Sequence, residues 1–120
     1  PCGLPAGYGA CCGRFHDGRA TASTAELLMR SRYAAFAVGD EAYLLRTWHP
    51  RTRPTRVDVA DGPEWTGLEI VEAVGGTAFH TEGQVAFRAY CTADGKRGTL
   101  EERSRFVRHE GEWVYLDAVT

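Results

Sequence analysis

The sequence predicts an α+β protein: two N-terminal helices packed on a curved antiparallel sheet, preceded by a small Cys-rich segment. Three observations predict it. Residues 23–39 repeat apolar side chains at helical spacing. From Trp65 onward the apolar period shortens to two. Ahead of both, Cys2, Cys11 and Cys12 crowd a stretch with no periodic pattern at all. The division expected is residues 1–18 for the Cys-rich segment and 19–120 for the α+β domain.

The chain of 120 residues is long enough for one domain with a core and a small appendage. Hydrophobic residues make up 43% and charged residues 25%, the ordinary balance of a soluble protein. No apolar run approaches the length of a membrane span. A net charge of −2 gives no general reason to expect nucleic acid as partner. The chain opens at Pro1 rather than Met, so further residues are expected upstream. With no signal peptide in view, the expected location is the cytoplasm.

Residues 1–18 contain five Gly and two Pro and cannot build a core, so their order is expected to come from a metal or a cross-link. Eight residues separate Cys2 from the Cys11-Cys12 pair. Thiolates are strong zinc ligands, and a structural site takes four. His16 is a candidate substitute ligand or a solvated bystander.

Ser23 with Glu26 reads as a capping box opening the first helix, and Gly39 reads as its stop. Glu26 and Arg30 make an i, i+4 pair. Ala25, Leu28, Met29, Tyr33 and Phe36 share one side, and Arg32 falls in the middle of that arc. A second helix is expected over 40–48, opened by Asp40 and ended by Pro50. Arg46, Arg51, Arg53 and Arg56 then surround Trp48 and His49. Such a loop can grip a phosphate or a single strand, but the chain's negative charge favours a solvated loop.

Four strands are expected: 67–73, 82–91, 99–109 and 112–118, with turns at Asp94-Gly95 and Glu110-Gly111. Cys91 reads as a buried thiol within its strand. On the third strand, Leu100, Glu102, Ser104 and Phe106 share a face. If the last turn has two residues, Phe106 stands opposite Tyr115 and Ser104 opposite Asp117. Arg32 would then pair with Glu102, or with Asp117. Val71, Val107, Val114 and Leu116 fall on the outer face, where they would suit a homodimer or be covered within the chain.

Two blocks of sequence carry a family resemblance. Pro1-Cys2-Gly3, Tyr8 and Cys11-Cys12-Gly13 resemble the SEC-C zinc motif, whose first Cys would precede Pro1; the loop Gly3-Leu4-Pro5 departs from its usual Gly-Ser-Gly. Residues 29–36 (MRSRYAAF), Thr47-Trp48-His49-Pro50 and Glu102-Arg103-Ser104-Arg105-Phe106, with Trp113 and Tyr115, resemble the YchJ-like family of bacterial proteins. The resemblance implies a zinc knuckle followed by a cone like nuclear transport factor 2 and ketosteroid isomerase. It implies zinc on Cys2, Cys11 and Cys12, and a protein partner met through the knuckle. It brings no established activity.

Two functions are expected from this reading. One is a binding or adaptor module acting through the knuckle. The other is a small-molecule-binding or enzymatic cone, with Arg32, Tyr33, Trp48, His49, Glu102, Ser104 and Asp117 as pocket candidates. No nucleophile beside a His and no Gly-rich phosphate loop is evident, and a carboxylate locked to Arg32 would make a poor base.

Overall fold

A computed structural model describes residues 13–18, 21–59 and 62–119. The elements run α1 (Gly13–His16), α2 (Ala25–Val38), α3 (Glu41–Arg46), then β1 (Glu64–Gly75), β2 (Glu82–Ala93), β3 (Lys96–His109) and β4 (Glu112–Val119). The strands form one antiparallel meander in the order β1-β2-β3-β4. Two-residue turns join the last three. Asp94 and Gly95, then Glu110 and Gly111, all take positive φ, as a turn that follows the strands' twist requires.

Three register shifts bend the sheet. Two lie in β1, between Trp65 and Gly67 and between Ile70 and Glu72; the third lies where β3 meets β4, between Arg105 and Phe106. Each extra residue kinks its strand and deepens the twist, which wraps the sheet around α2. Val85, Phe87 and Ala89 of β2, Phe106 of β3 and Trp113 of β4 then close on Ala25, Leu28, Met29 and Tyr33 of α2.

The helix start differs from the expected capping box. Thr24, not Ser23, caps α2, its hydroxyl accepting from the Leu27 amide at 3.1 Å. Glu26 binds Arg30 instead of reaching back to a cap. Gly39 ends α2 at φ 78°. Asp40 caps α3 by accepting from the Tyr43 amide, but α3 stops at Arg46, two residues before the expected end. Beyond it Trp48 bridges to Tyr115 of β4: the His49 amide donates to the Tyr115 carbonyl, and the Tyr115 amide to the Thr47 carbonyl. That anchorage draws the chain out of helical geometry before Pro50 can act.

Residues 13–18 are held by packing. Phe15 is buried with Ala35, Tyr43 and Leu44, and Arg46 donates to the carbonyls of Phe15 and His16. Phe15 thus anchors the described end of the segment by apolar packing. Cys2, Cys11 and Cys12 lie outside the described residues.

The outer sheet face carries an ion-pair ladder: Arg88 with Glu69 and Glu101, Arg103 with Glu72, and Arg105 with Asp117. Of the four apolar residues expected there, Val114 and Leu116 are buried within the single chain. Val71 is exposed and Val107 half-buried, so the four do not form a continuous apolar patch.

Candidate functional site

Between α2 and the concave sheet lies a cavity of about 260 Å³. Helix α2 contributes Met29, Arg32, Tyr33 and Phe36; Trp48 follows α3; the strands contribute Trp65, Phe87, Ala89, Leu100, Glu102, Ser104 and Tyr115. Leu100 is 43% exposed and so stands at the mouth. The walls are mainly aromatic and aliphatic, with a few polar groups set among them, the usual make-up of a small-molecule site.

Arg32 is 4% exposed. Its Nη1 donates to the Leu44 carbonyl at 2.8 Å and to Thr47 Oγ1 at 2.7 Å. The guanidinium carbon lies 5.0 Å from the centre of the Trp48 ring and 4.8 Å from that of Tyr115. Those two rings are themselves 5.0 Å apart and perpendicular. The cation therefore sits in the corner the rings make, where their negative faces attract it. Burial lowers its pKa to about 10, so it keeps its charge at neutral pH.

This corrects the expected ion pair. Neither Glu102 nor Asp117 lies within 4.0 Å of the Arg32 guanidinium. The helix arc is as read, but the acceptors are a main-chain carbonyl and a hydroxyl at the end of α3. Asp117 leaves the pocket set altogether. The bulge opposite Phe106 inserts Leu116, so Asp117 pairs with Arg105 and Ser104 with Ala118. A one-residue slip moves a side chain to the other face of a sheet. Asp117 accordingly binds Arg105 Nε and Nη2 at 2.6 Å each, outside the cone, and those bonds hold its carboxyl below the usual range.

Glu102 faces the cavity without a hydrogen bond or ion pair among the described residues, and partial burial pushes its carboxyl above the usual range. Ser104 is buried beside it. Burial likewise raises the Tyr33 and Tyr115 phenols; a Gly67 backbone hydrogen bond opposes the shift at Tyr33, while the Glu102 charge adds to it at Tyr115. Trp48 Nε1 is buried with no hydrogen-bond partner among the described residues. His49 stands apart from this lining. It meets His109 edge-on with ring centres 5.0 Å apart, and its Nδ1 accepts from the Arg51 amide. Desolvation, then His109, Arg51 and Arg53, hold its imidazole below the usual pKa.

Sequence reasoning missed Thr47 and the Leu44 carbonyl as the groups that hold Arg32. It placed Tyr115 on the inner face without assigning it to the pocket, and it left out Trp65, Phe36 and Leu100. The alternation of Trp113 with Tyr115 was the available signal for Tyr115; nothing local marked the other two groups. His16, the candidate ligand, has Nε2 2.8 Å from the Ser31 carbonyl and its ring on Tyr43. No cluster of three metal-ligating side chains occurs among the described residues, and no helix among them is long and apolar enough to cross a membrane.

A bulged sheet wrapped around one long helix, with a cavity between them, defines a nuclear transport factor 2-like cone domain. The chain belongs to the YchJ family: the family described as "YchJ, middle NTF2-like domain" matches residues 24–118. A UPF0225 protein of Streptomyces coelicolor is 60% identical, covering 98% of this chain and 91% of that protein. One from Deinococcus radiodurans is 49% identical over 98% of this chain and 86% of its own length. Among solved structures, a SEC-C motif containing protein from Rhodopseudomonas palustris matches with a TM-score of 0.86 at 27% identity, covering 98% of this chain and 94% of that one. A SEC-C motif containing protein from Psychrobacter arcticus matches with a TM-score of 0.79 at 31% identity, covering 95% and 72%.

Proposed function

We propose that the cone is a binding chamber for a small organic molecule. The observation that carries this reading is the cavity itself: about 260 Å³, apolar-walled, with the Glu102 and Ser104 side chains turned to it and making no hydrogen bond within the described residues. A core shaped for stability alone fills such space, because voids forfeit packing energy. The test is thermal denaturation with a panel of small aromatic acids, amides and amines. Binding to the folded state alone raises the melting temperature. Members of the panel should stabilise the wild-type chain and fail to stabilise Leu100→Trp, which blocks the mouth at a half-exposed position. A panel that stabilises neither chain, or both equally, defeats the reading.

A second reading concerns the Cys-rich segment, and the two SEC-C motif neighbours favour it. In this proposal Cys2, Cys11 and Cys12 hold zinc, and the resulting knuckle contacts a protein partner in the cytoplasm, with the cone as its scaffold. Three thiolates are a donor set that suits zinc. His16 is a poor fourth ligand through Nε2, since binding metal there would break its contact with the Ser31 carbonyl. A cysteine ahead of Pro1, as the motif calls for, suits better. Metal analysis of a chain extended to include that cysteine should find one zinc per chain. Less than half of that, or a content unchanged by Cys11→Ser, would rule the knuckle out.

A further inference from the structure

The chamber contains a buried positive charge with no negative partner among the described residues. Arg32 has its Nη1 committed to Leu44 and Thr47. Its Nε and Nη2 donate to nothing among the described residues, and no carboxylate lies within 4.0 Å. That edge is not sealed off in the way the Trp48 Nε1 is, so it opens to the cavity, and an anion placed against it would balance the charge. The free edge of a guanidinium is a planar fork that matches a carboxylate with two parallel hydrogen bonds.

Building on the reading of the cone as a binding chamber, we propose that its ligand is a small aromatic or aliphatic monocarboxylate. Its carboxylate sits on the Nε and Nη2 edge of Arg32, and its apolar body lies against Met29, Phe36 and Phe87. The chamber's contents select this class. Among the described residues Arg32 is the only cation in the lining, so one negative charge is balanced and a phosphate dianion is not. A cationic ligand would satisfy Glu102 but leave Arg32 uncompensated and repelled. The volume equals that of about nine waters at roughly 30 Å³ each, which fits a molecule of roughly ten non-hydrogen atoms. Glu102 shares the lining and opposes an anionic ligand while it is ionised.

The experiment compares phenylacetate with its neutral isostere phenylacetamide, titrated into the full chain at pH 7 and followed by the amide and indole resonances of Trp48, Leu100 and Tyr115. The acid should bind at least ten-fold more tightly than the amide. Glu102→Gln removes a half-exposed group that makes no hydrogen bond, so the fold is safe. It should raise the acid's affinity several-fold and leave the amide's alone. Arg32→Met should bring the two affinities together; if that variant fails to fold, Glu102→Gln decides by itself. An amide that binds as tightly as the acid, or an acid weakened by Glu102→Gln, overturns the carboxylate assignment while the chamber stands. If neither compound moves those resonances, the assignment and the chamber fall together.

Discussion

Arg32→Met measures what holds the guanidinium. The substitution removes two hydrogen bonds from a charged donor, each worth about 1.5–3 kcal/mol, and two cation–π contacts of about 0.5–2 kcal/mol each. It also removes the cost of keeping an uncompensated charge out of water, itself several kcal/mol. These largely cancel, leaving an expected net loss of about 1–2 kcal/mol. Breaking a true buried ion pair would cost about 3–5 kcal/mol. Urea unfolding of single and double variants separates the cases. Arg32→Met with Thr47→Val should show a coupling of about 1–2 kcal/mol, since the two side chains touch. Arg32→Met with Glu102→Gln should add to within about 0.5 kcal/mol. A coupling above about 1.5 kcal/mol between positions 32 and 102 would refute the reasoning and restore the ion pair.

Further outcomes are open to the same measurement. Burial raises the folded-state pKa of Glu102, so its ionisation penalises the fold above that pKa and does nothing below the unfolded value, about 4.3. Glu102→Gln should therefore be more stable than wild type at pH 7, with the gap closing as pH falls to about 4; a gap that stays constant with pH counts against this. Thr24→Ala should cost about 1 kcal/mol and Ser23→Ala almost nothing, because only Thr24 accepts from the helix; equal losses would return the cap to Ser23. Gly76→Ala should cost at least about 2 kcal/mol, since Gly76 has φ +70° and an added Cβ would lie 2.6 Å from the Ala25 Cβ; a silent substitution would mean that α2 does not dock on this turn. Asp117→Asn should cost under about 1 kcal/mol, and less in high salt, because its pair with Arg105 is solvated; a loss of several kcal/mol would put Asp117 back inside the cone.

The elements themselves were legible because they rest on local periodicity. Ala25 through Phe36 show a helical arc in any context, and the alternation of Val85, Phe87 and Ala89 shows a strand with one buried face. The Asp94-Gly95 and Glu110-Gly111 turns were legible because few residues accept positive φ. The composition of the site was half legible. Arg32 in the middle of an apolar arc announced a buried cation, and Glu102 and Ser104 on one strand face announced a polar patch in a core. The error lay in joining them by opposite charge. A main-chain carbonyl leaves no trace in the residue letters, so Leu44 as an acceptor could not be read. The Ser23–Glu26 spacing points to Ser23 as the cap, but Glu26 is taken by Arg30, and the adjacent Thr24 hydroxyl reaches the Leu27 amide instead.

By itself, then, the sequence determined a long helix carrying a buried arginine, a shorter helix, and a meander whose inner face mixes aromatic with polar side chains. Tertiary structure alone decided that Asp117 turns outward, that Trp48 is pinned to Tyr115, and that a space remains between helix and sheet. Bulges, cross-element bonds and leftover volume depend on how distant segments meet. Each is a sum over partners far apart in the chain, which no local pattern encodes.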